Sequence, residues 1–298
     1  MAKRVLVTGA SGLLGRECLK AFADDPEWTS LGLAFSRSSG GLKKVNLTDP
    51  AETAAAVREF KPSVILHSAA ERRPDVVEKD PEKTNKINVE STENLCQLAS
   101  ELGAYVIFIS TDYVFDGTKP PYKPGDPTCP LNKYGQSKAD GEKVVLKANP
   151  DNIVFRVPVL YGEVERLDES AVTILFSKVK DTSKPAEMNH CERRYPTFCA
   201  DLGRAIKVLA NSRAKDPTLT GEFHWSGDEM LTKYDMAVIM AELFGLPTSH
   251  IVADTKPAVG VPRPFDCHLD CGRMDALGVV KRTPFREGIK SCLEKYFP

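Results

Sequence analysis

The chain has 298 residues, with 40 lysines and arginines against 41 aspartates and glutamates and a formal net charge of −1. That length buries a large core and holds either one large domain or two smaller ones. The even charge balance removes any electrostatic case for nucleic acid or an anionic membrane as partner, and no apolar run nears the roughly 20 residues that span a bilayer.

In chain order, Lys3–Val7 reads as a short buried strand, and the run from Gly12 to Ala23 as a helix. A second strand is expected over Ser30–Ser36 and a third over Lys43–Leu47. Asp49 then starts a helix over Pro50–Phe60, and Ser63–His67 is a buried strand. A long helix is expected over Asp80–Leu102 with Pro81 in its first turn, then a strand over Ala104–Ser110, a helix over Asn132–Ala148 and a strand over Asn152–Arg156. This alternation predicts an α/β fold, a doubly wound parallel sheet that binds ligands at the C-terminal ends of its strands. Beyond residue 160 the pattern loosens. Helices are expected over Glu169–Lys180, Ala200–Ala210 and Lys233–Phe244, with a short strand ending at His224–Gly227 and a proline-rich loop over a site at Pro257–Asp270. The expected division is a Rossmann-type unit over 1–160 and a smaller C-terminal substrate lobe over 161–298, interleaved with the sheet.

Eight cysteines occur with no C-x-x-C spacing, and Cys267, His268 and Cys271 lack a fourth ligand nearby, so no metal site is expected. Free thiols fit a reducing cytosol. The first strand begins at once, which leaves no room for a signal peptide and makes a cytoplasmic location the expectation.

Two motifs carry chemistry. Thr8-Gly9-Ala10-Ser11-Gly12-Leu13-Leu14-Gly15 joins the first strand to the first helix. Gly9 permits the tight turn, Gly12 lets backbone approach a pyrophosphate, and Gly15 lets the helix pack close to the sheet. The helix N-terminus adds free N–H groups and a positive dipole end. The second motif is Tyr134-Gly135-Gln136-Ser137-Lys138, whose Tyr and Lys share one helix face. A nearby ammonium is expected to lower the phenol's pKa, so that Tyr134 exchanges a proton with a carbonyl or hydroxyl oxygen. Ser110 or Thr111, at the preceding strand tip, supplies a hydroxyl to the same oxygen. A nucleotide bearing a 2′-phosphate is expected because the second strand runs into Phe35-Ser36-Arg37-Ser38 with no acid: Arg37, helped by Ser36, suits a phosphate. Arg72 and Arg73 suit an anionic ligand or a partner's carboxylates.

With these residues in view, the chain resembles the extended short-chain dehydrogenase/reductases. More narrowly it resembles their dTDP-4-dehydrorhamnose reductase branch, through Ser110-Thr111-Asp112-Tyr113-Val114-Phe115-Asp116-Gly117 and the Tyr134–Lys138 motif. Within that branch it is similar to the regulatory β subunits of methionine adenosyltransferase. The runs Ala69–Glu78, Leu160–Glu165, Glu169–Thr173, Phe223–Gly227, Met230–Ala237 and Arg282–Arg286 carry this likeness. The resemblance implies a Rossmann fold with NADP bound. It implies that Gly9, Ser11, Gly12, Leu13, Leu14 and Gly15 line the pyrophosphate, that Ala69 and Ala70 pass beside the cofactor, and that Asn88 sits on the neighbouring helix. Tyr134 and Lys138 would hold the nicotinamide ribose, and Thr111 would complete a Thr–Tyr–Lys set. It further implies a methionine adenosyltransferase catalytic subunit as partner and modulation of S-adenosylmethionine synthesis. The alternative is NADPH-dependent reduction of a 4-keto-6-deoxy sugar nucleotide. The family's basic, aromatic tail follows Arg282–Arg286, and because the sequence ends at Pro298 that docking segment is expected to be short.

Overall fold

A computed structural model describes residues 3–38, 40–278 and 281–297. Strand β1 (Lys3–Thr8) leads into helix α1 (Leu13–Ala23), then β2 (Trp28–Ala34) and a two-residue β3 (Lys43–Lys44). Helix α2 (Pro50–Phe60) is capped by Asp49, whose carboxylate accepts from the backbone N–H groups of Ala51 and Glu52. Strand β4 (Val64–His67) follows, then the short helices α3 (Pro74–Lys79) and α4 (Pro81–Asn85), a π-helical turn at Lys86–Glu90, and α5 (Ser91–Glu101). Next come β5 (Tyr105–Thr111), α6 (Lys133–Ala148), β6 (Ile153–Val157) and the short β7 (Leu160–Tyr161).

The remaining chain forms α7 (Leu175–Lys180), β8 (Ala186–Asn189), β9 (Thr197–Phe198), α8 (Cys199–Lys215) and β10 (Gly221–His224). It ends with α9 (Lys233–Leu243), β11 (Ile251–Asp254), α10 (Gly272–Asp275) and α11 (Phe285–Leu293).

Among the described residues, seven strands form one sheet in the order β10-β6-β5-β4-β1-β2-β3. Every pairing in it is parallel. The order reverses between β1 and β4, which opens a crevice at their C-terminal ends. Both faces are covered, so the central strands are apolar throughout. Val5 and Val7 face a core with Phe22, Ile107, Phe155, Leu202 and Trp225, whereas Leu6 faces Ile65, Leu95, Phe108 and Val154 on the other side. Helix α8 presses on α1 where Gly203 stands: a Cβ there would lie 2.8 Å from the carbonyl oxygen of Glu17. The elements α7, α9 and α11 enclose a separate apolar cluster around Phe176, Met188, Met236, Met240 and Ile289.

Several expected elements differ in detail, and the third strand keeps only Lys43–Lys44 of the expected Lys43–Leu47. The second strand begins and ends two residues earlier than its pattern suggests, since Trp28 packs edge-on against Phe22 and is drawn into the ladder. The long helix is broken between α4 and α5 by the π-turn, where Asn88 is buried. The helix expected over Glu169–Lys180 shrinks to a 3-10 turn at Leu167–Glu169 and the short α7. Ser170 interrupts it by turning its hydroxyl to the carbonyl oxygen of Leu160, at 2.7 Å.

Candidate functional site

The glycine turn is built for close backbone approach. Gly9 has φ +65°, and a Cβ on it would sit 2.9 Å from the Ala69 Cα. A Cβ on Gly15 would sit 2.3 Å from the Gly9 carbonyl oxygen, so α1 starts directly on the turn. Gly12 caps α1 without any side chain, and the first helical turn holds no acid. The opening N–H groups of Leu13 and Leu14 therefore face outward with the positive end of the helix dipole behind them. A pyrophosphate laid on this turn meets backbone donors and no Cβ at Gly9, Gly12 or Gly15, so these residues fit that group.

The loop after β4 runs alongside. Ala69 donates its N–H to the Thr8 hydroxyl at 3.2 Å, which brings Ala69 and Ala70 beside the glycines. His67 braces the same corner, 2.7 Å from the Thr8 hydroxyl through Nδ1 and 2.9 Å from the Thr92 hydroxyl through Nε2. Burial, with the Lys138 charge nearby, pulls this imidazole down to about 3, so it is neutral. Asn88 spends its side chain on protein. Its carbonyl oxygen accepts from the Glu71 N–H at 2.9 Å, and its amide donates to the Glu71 carbonyl oxygen and the Ser137 hydroxyl. The π-turn thereby ties the β4 loop to α6. Thr8, His67 and Thr92 carry no local signal of this role in the sequence, since each looks like an ordinary strand or helix residue.

Thr111 ends β5, and Tyr134 and Lys138 rise on consecutive turns of α6. The helix starts hard against the segment after β5, since a Cβ on Gly135 would lie 2.2 Å from the Tyr113 carbonyl oxygen. The Thr111 hydroxyl donates to the Asp112 carboxylate at 3.1 Å and accepts from the Tyr113 N–H at 3.2 Å, and it is close enough to lower the Tyr134 phenol's pKa. Ser110, the other candidate, points to the opposite face and donates to the buried Glu142 carboxylate, which also takes both Nε and Nη2 of Arg156 at 2.9 and 2.7 Å. Adjacent strand residues face opposite ways, and with Ser110 spent on Glu142 of α6, Thr111 is the β5 hydroxyl left at the strand tip.

The expected lowering of the Tyr134 pKa is corrected by the structure. Burial pushes the phenol above its ordinary value, with Thr111 opposing. Lys138 is only 3% exposed, and its Nζ lies 3.8 Å from the centre of the Phe108 ring. Burial lowers it to about 7 while Glu142 opposes. Among the described residues no hydrogen-bond acceptor meets Lys138 Nζ. Asp112, next to Thr111, is raised by burial to about 6 against the pull of Arg194.

The cations expected to meet phosphate or partner groups are engaged within the chain. Ser36 is exposed at the end of β2. Arg37 donates from Nη2 to the Ser11 carbonyl oxygen at 2.9 Å and pairs through Nη1 with Glu165 and Glu169. Arg72 donates to the Glu169 carbonyl oxygen, and Arg73 makes a fork onto Glu71 at 2.9 and 2.8 Å. Opposite them, the proline-rich segment is held from both sides. Asn132 Nδ2 donates to the Pro262 carbonyl oxygen at 2.8 Å, and the buried Arg194 donates to that of Pro264 at 3.0 Å.

A family model described as the RmlD substrate binding domain matches residues 3–297. Among curated relatives, methionine adenosyltransferase 2 subunit beta of Bos taurus is 49% identical over 292 residues, 98% of this chain and 87% of that protein. A solved structure of a hypothetical dTDP-4-dehydrorhamnose reductase from Sulfolobus tokodaii superposes with a TM-score of 0.83 at 28% identity, covering 96% of this chain and 98% of that one. The dTDP-4-dehydrorhamnose reductase of Bacillus anthracis, solved in complex with NADP, shares the fold with a TM-score of 0.83 at 23% identity over 99% of this chain and all of that one. Among the described residues no helix is long and apolar enough to cross a membrane. The chain thus belongs to the RmlD substrate-binding-domain family and, within it, to the group of methionine adenosyltransferase 2 β subunits.

Proposed function

We propose that this protein is an NADP-binding regulatory β subunit that docks on a methionine adenosyltransferase catalytic subunit and modulates S-adenosylmethionine synthesis. Near-half identity to the bovine β subunit over almost the whole chain carries the reading. In it, Gly9, Ser11, Gly12, Leu13, Leu14 and Gly15 hold the pyrophosphate, while Ser36 and Arg37 face the 2′-phosphate. Ala69, Ala70 and Asn88 flank the nucleotide, and Tyr134 and Lys138 hold the nicotinamide ribose. The eight free thiols support a reducing, cytosolic setting. The test is co-elution with the catalytic subunit from the same source at low salt. A complex whose rate of S-adenosylmethionine formation differs from that of the catalytic subunit alone is expected. Two proteins that elute separately overturn the reading.

The gathered Thr111, Tyr134 and Lys138 favour a second reading, reduction of a 4-keto-6-deoxy sugar nucleotide. NADPH would supply the hydride. Burial keeps Tyr134 protonated, the form a general acid needs, and Thr111 shares the same oxygen. Mixing the protein with NADPH and a dTDP-4-keto-6-deoxyhexose tests this by nicotinamide absorbance. Turnover that falls by roughly 100-fold or more in Tyr134→Phe supports it, and no turnover removes it.

A further inference from the structure

The end of β2 holds two recognition chemistries that dinucleotide sites ordinarily use one at a time. An acid there binds the ribose 2′-hydroxyl of NAD, and an arginine there accommodates the 2′-phosphate of NADP. The local sequence supplies the arginine, Arg37. The acids arrive from a distant segment, Glu163–Glu169, which lies across the mouth of the glycine turn. Arg37 Nη1 is 3.2 Å from Glu165 and closer still to Glu169. Glu169 is also 2.8 Å from Arg16 Nη2, and Arg16 Nη1 donates to the Ser11 carbonyl oxygen at 2.7 Å. Ser11 O thus accepts from both arginines, and the two carboxylates are fixed at the edge of the cradle. The Glu169 side chain is 12% exposed, and its arginine partners hold it below the usual carboxylate range despite burial. The far end of the segment is anchored as well, by Tyr296 Oη donating to the Val164 carbonyl oxygen at 2.7 Å.

We propose that Glu165 and Glu169 set nucleotide selectivity by opposing Arg37, so that they lower the preference for NADP over NAD that Arg37 alone would give. This rests on the cofactor reading above. A ribose diol donates to a carboxylate and leaves the Arg37 pairs intact. A 2′-phosphate must instead take Arg37 away from two carboxylates and sit beside their charge. Like charge at this spot works against the ligand that the arginine favours.

Calorimetric titration of the full chain with NADP+ and with NAD+ tests this through the ratio of the two affinities. Wild type is expected to bind both. Glu165→Gln/Glu169→Gln raises the preference for NADP+ by about tenfold, and Arg37→Gln lowers it by a similar factor, since a charge-assisted bond is gained or lost. Glu165 is 63% exposed, so Glu165→Gln alone leaves the fold intact and moves the ratio the same way by roughly threefold. A ratio that stays put or falls in the glutamine variants overturns this inference and leaves the cofactor reading standing. Wild type that binds neither nucleotide overturns both.

Discussion

Lys138 combines a titratable charge with almost complete burial. Its ordinary value of 10.5 applies to the unfolded chain, and burial brings it to about 7 in the fold. Between these two values the unfolded state holds the extra proton, so this residue makes stability rise with pH from about 7 to 10.5. Below about 7 both states are charged, and the cost of the buried ammonium is fully present. Urea unfolding of Lys138→Met without nucleotide should therefore show the variant gaining most over wild type near neutral pH and losing that gain as pH rises. An advantage independent of pH would contradict the buried-charge account. At this scale the spacing of Tyr134 and Lys138 was readable, because four residues make one helical turn whatever surrounds them. The choice of Thr111 over Ser110 was not, since it depends on the Ser110 hydroxyl being spent on the buried Glu142 of α6.

The elements around the site are held by caps and by close glycine contacts. Asn132 caps α6, its carbonyl oxygen accepting from the Gly135 N–H at 2.9 Å, while its amide holds the proline-rich segment at Pro262. Asn132→Ala removes both links and should cost about 2 kcal/mol, the sum of an N-cap and one further hydrogen bond. Hydrogen exchange should also quicken across Pro257–Asp270. A cap-only loss would leave that segment's exchange unchanged. Helix α6 could be read from Asn132 and the periodicity after it. The π-turn at Lys86–Glu90 could not, because one inserted residue leaves local propensity untouched. It appears only where Asn88 must reach Glu71 and Ser137 at once. The shortened α7 has a similar origin: residues 171–174 form a turn, but Ser170 is extended at φ −129° and ψ 141° with its hydroxyl on the Leu160 carbonyl oxygen.

At the scale of the whole molecule, nucleotide held between the glycine turn and α6 would bind the folded chain and not the unfolded one. NADP+ at 100 times its dissociation constant should add about 2.7 kcal/mol of stability, visible as a rise of several degrees in melting temperature. Thermal scans across a nucleotide series check this, and a midpoint that ignores concentration would contradict the site. The alternating strand and helix pattern of the first half, the glycine turn and the Tyr–Lys helix were all determined by the sequence alone, since each depends on residues within a turn or two of one another. Tertiary structure decided what distance along the chain conceals. It brought β10 into the sheet beside β6, laid α8 on α1 through Gly203, and carried Glu165 and Glu169 to Arg37 across sequence separations of 128 and 132. The basic β2 end could be read locally as a phosphate site, but its charge balance depends on a segment that only the folded chain brings there.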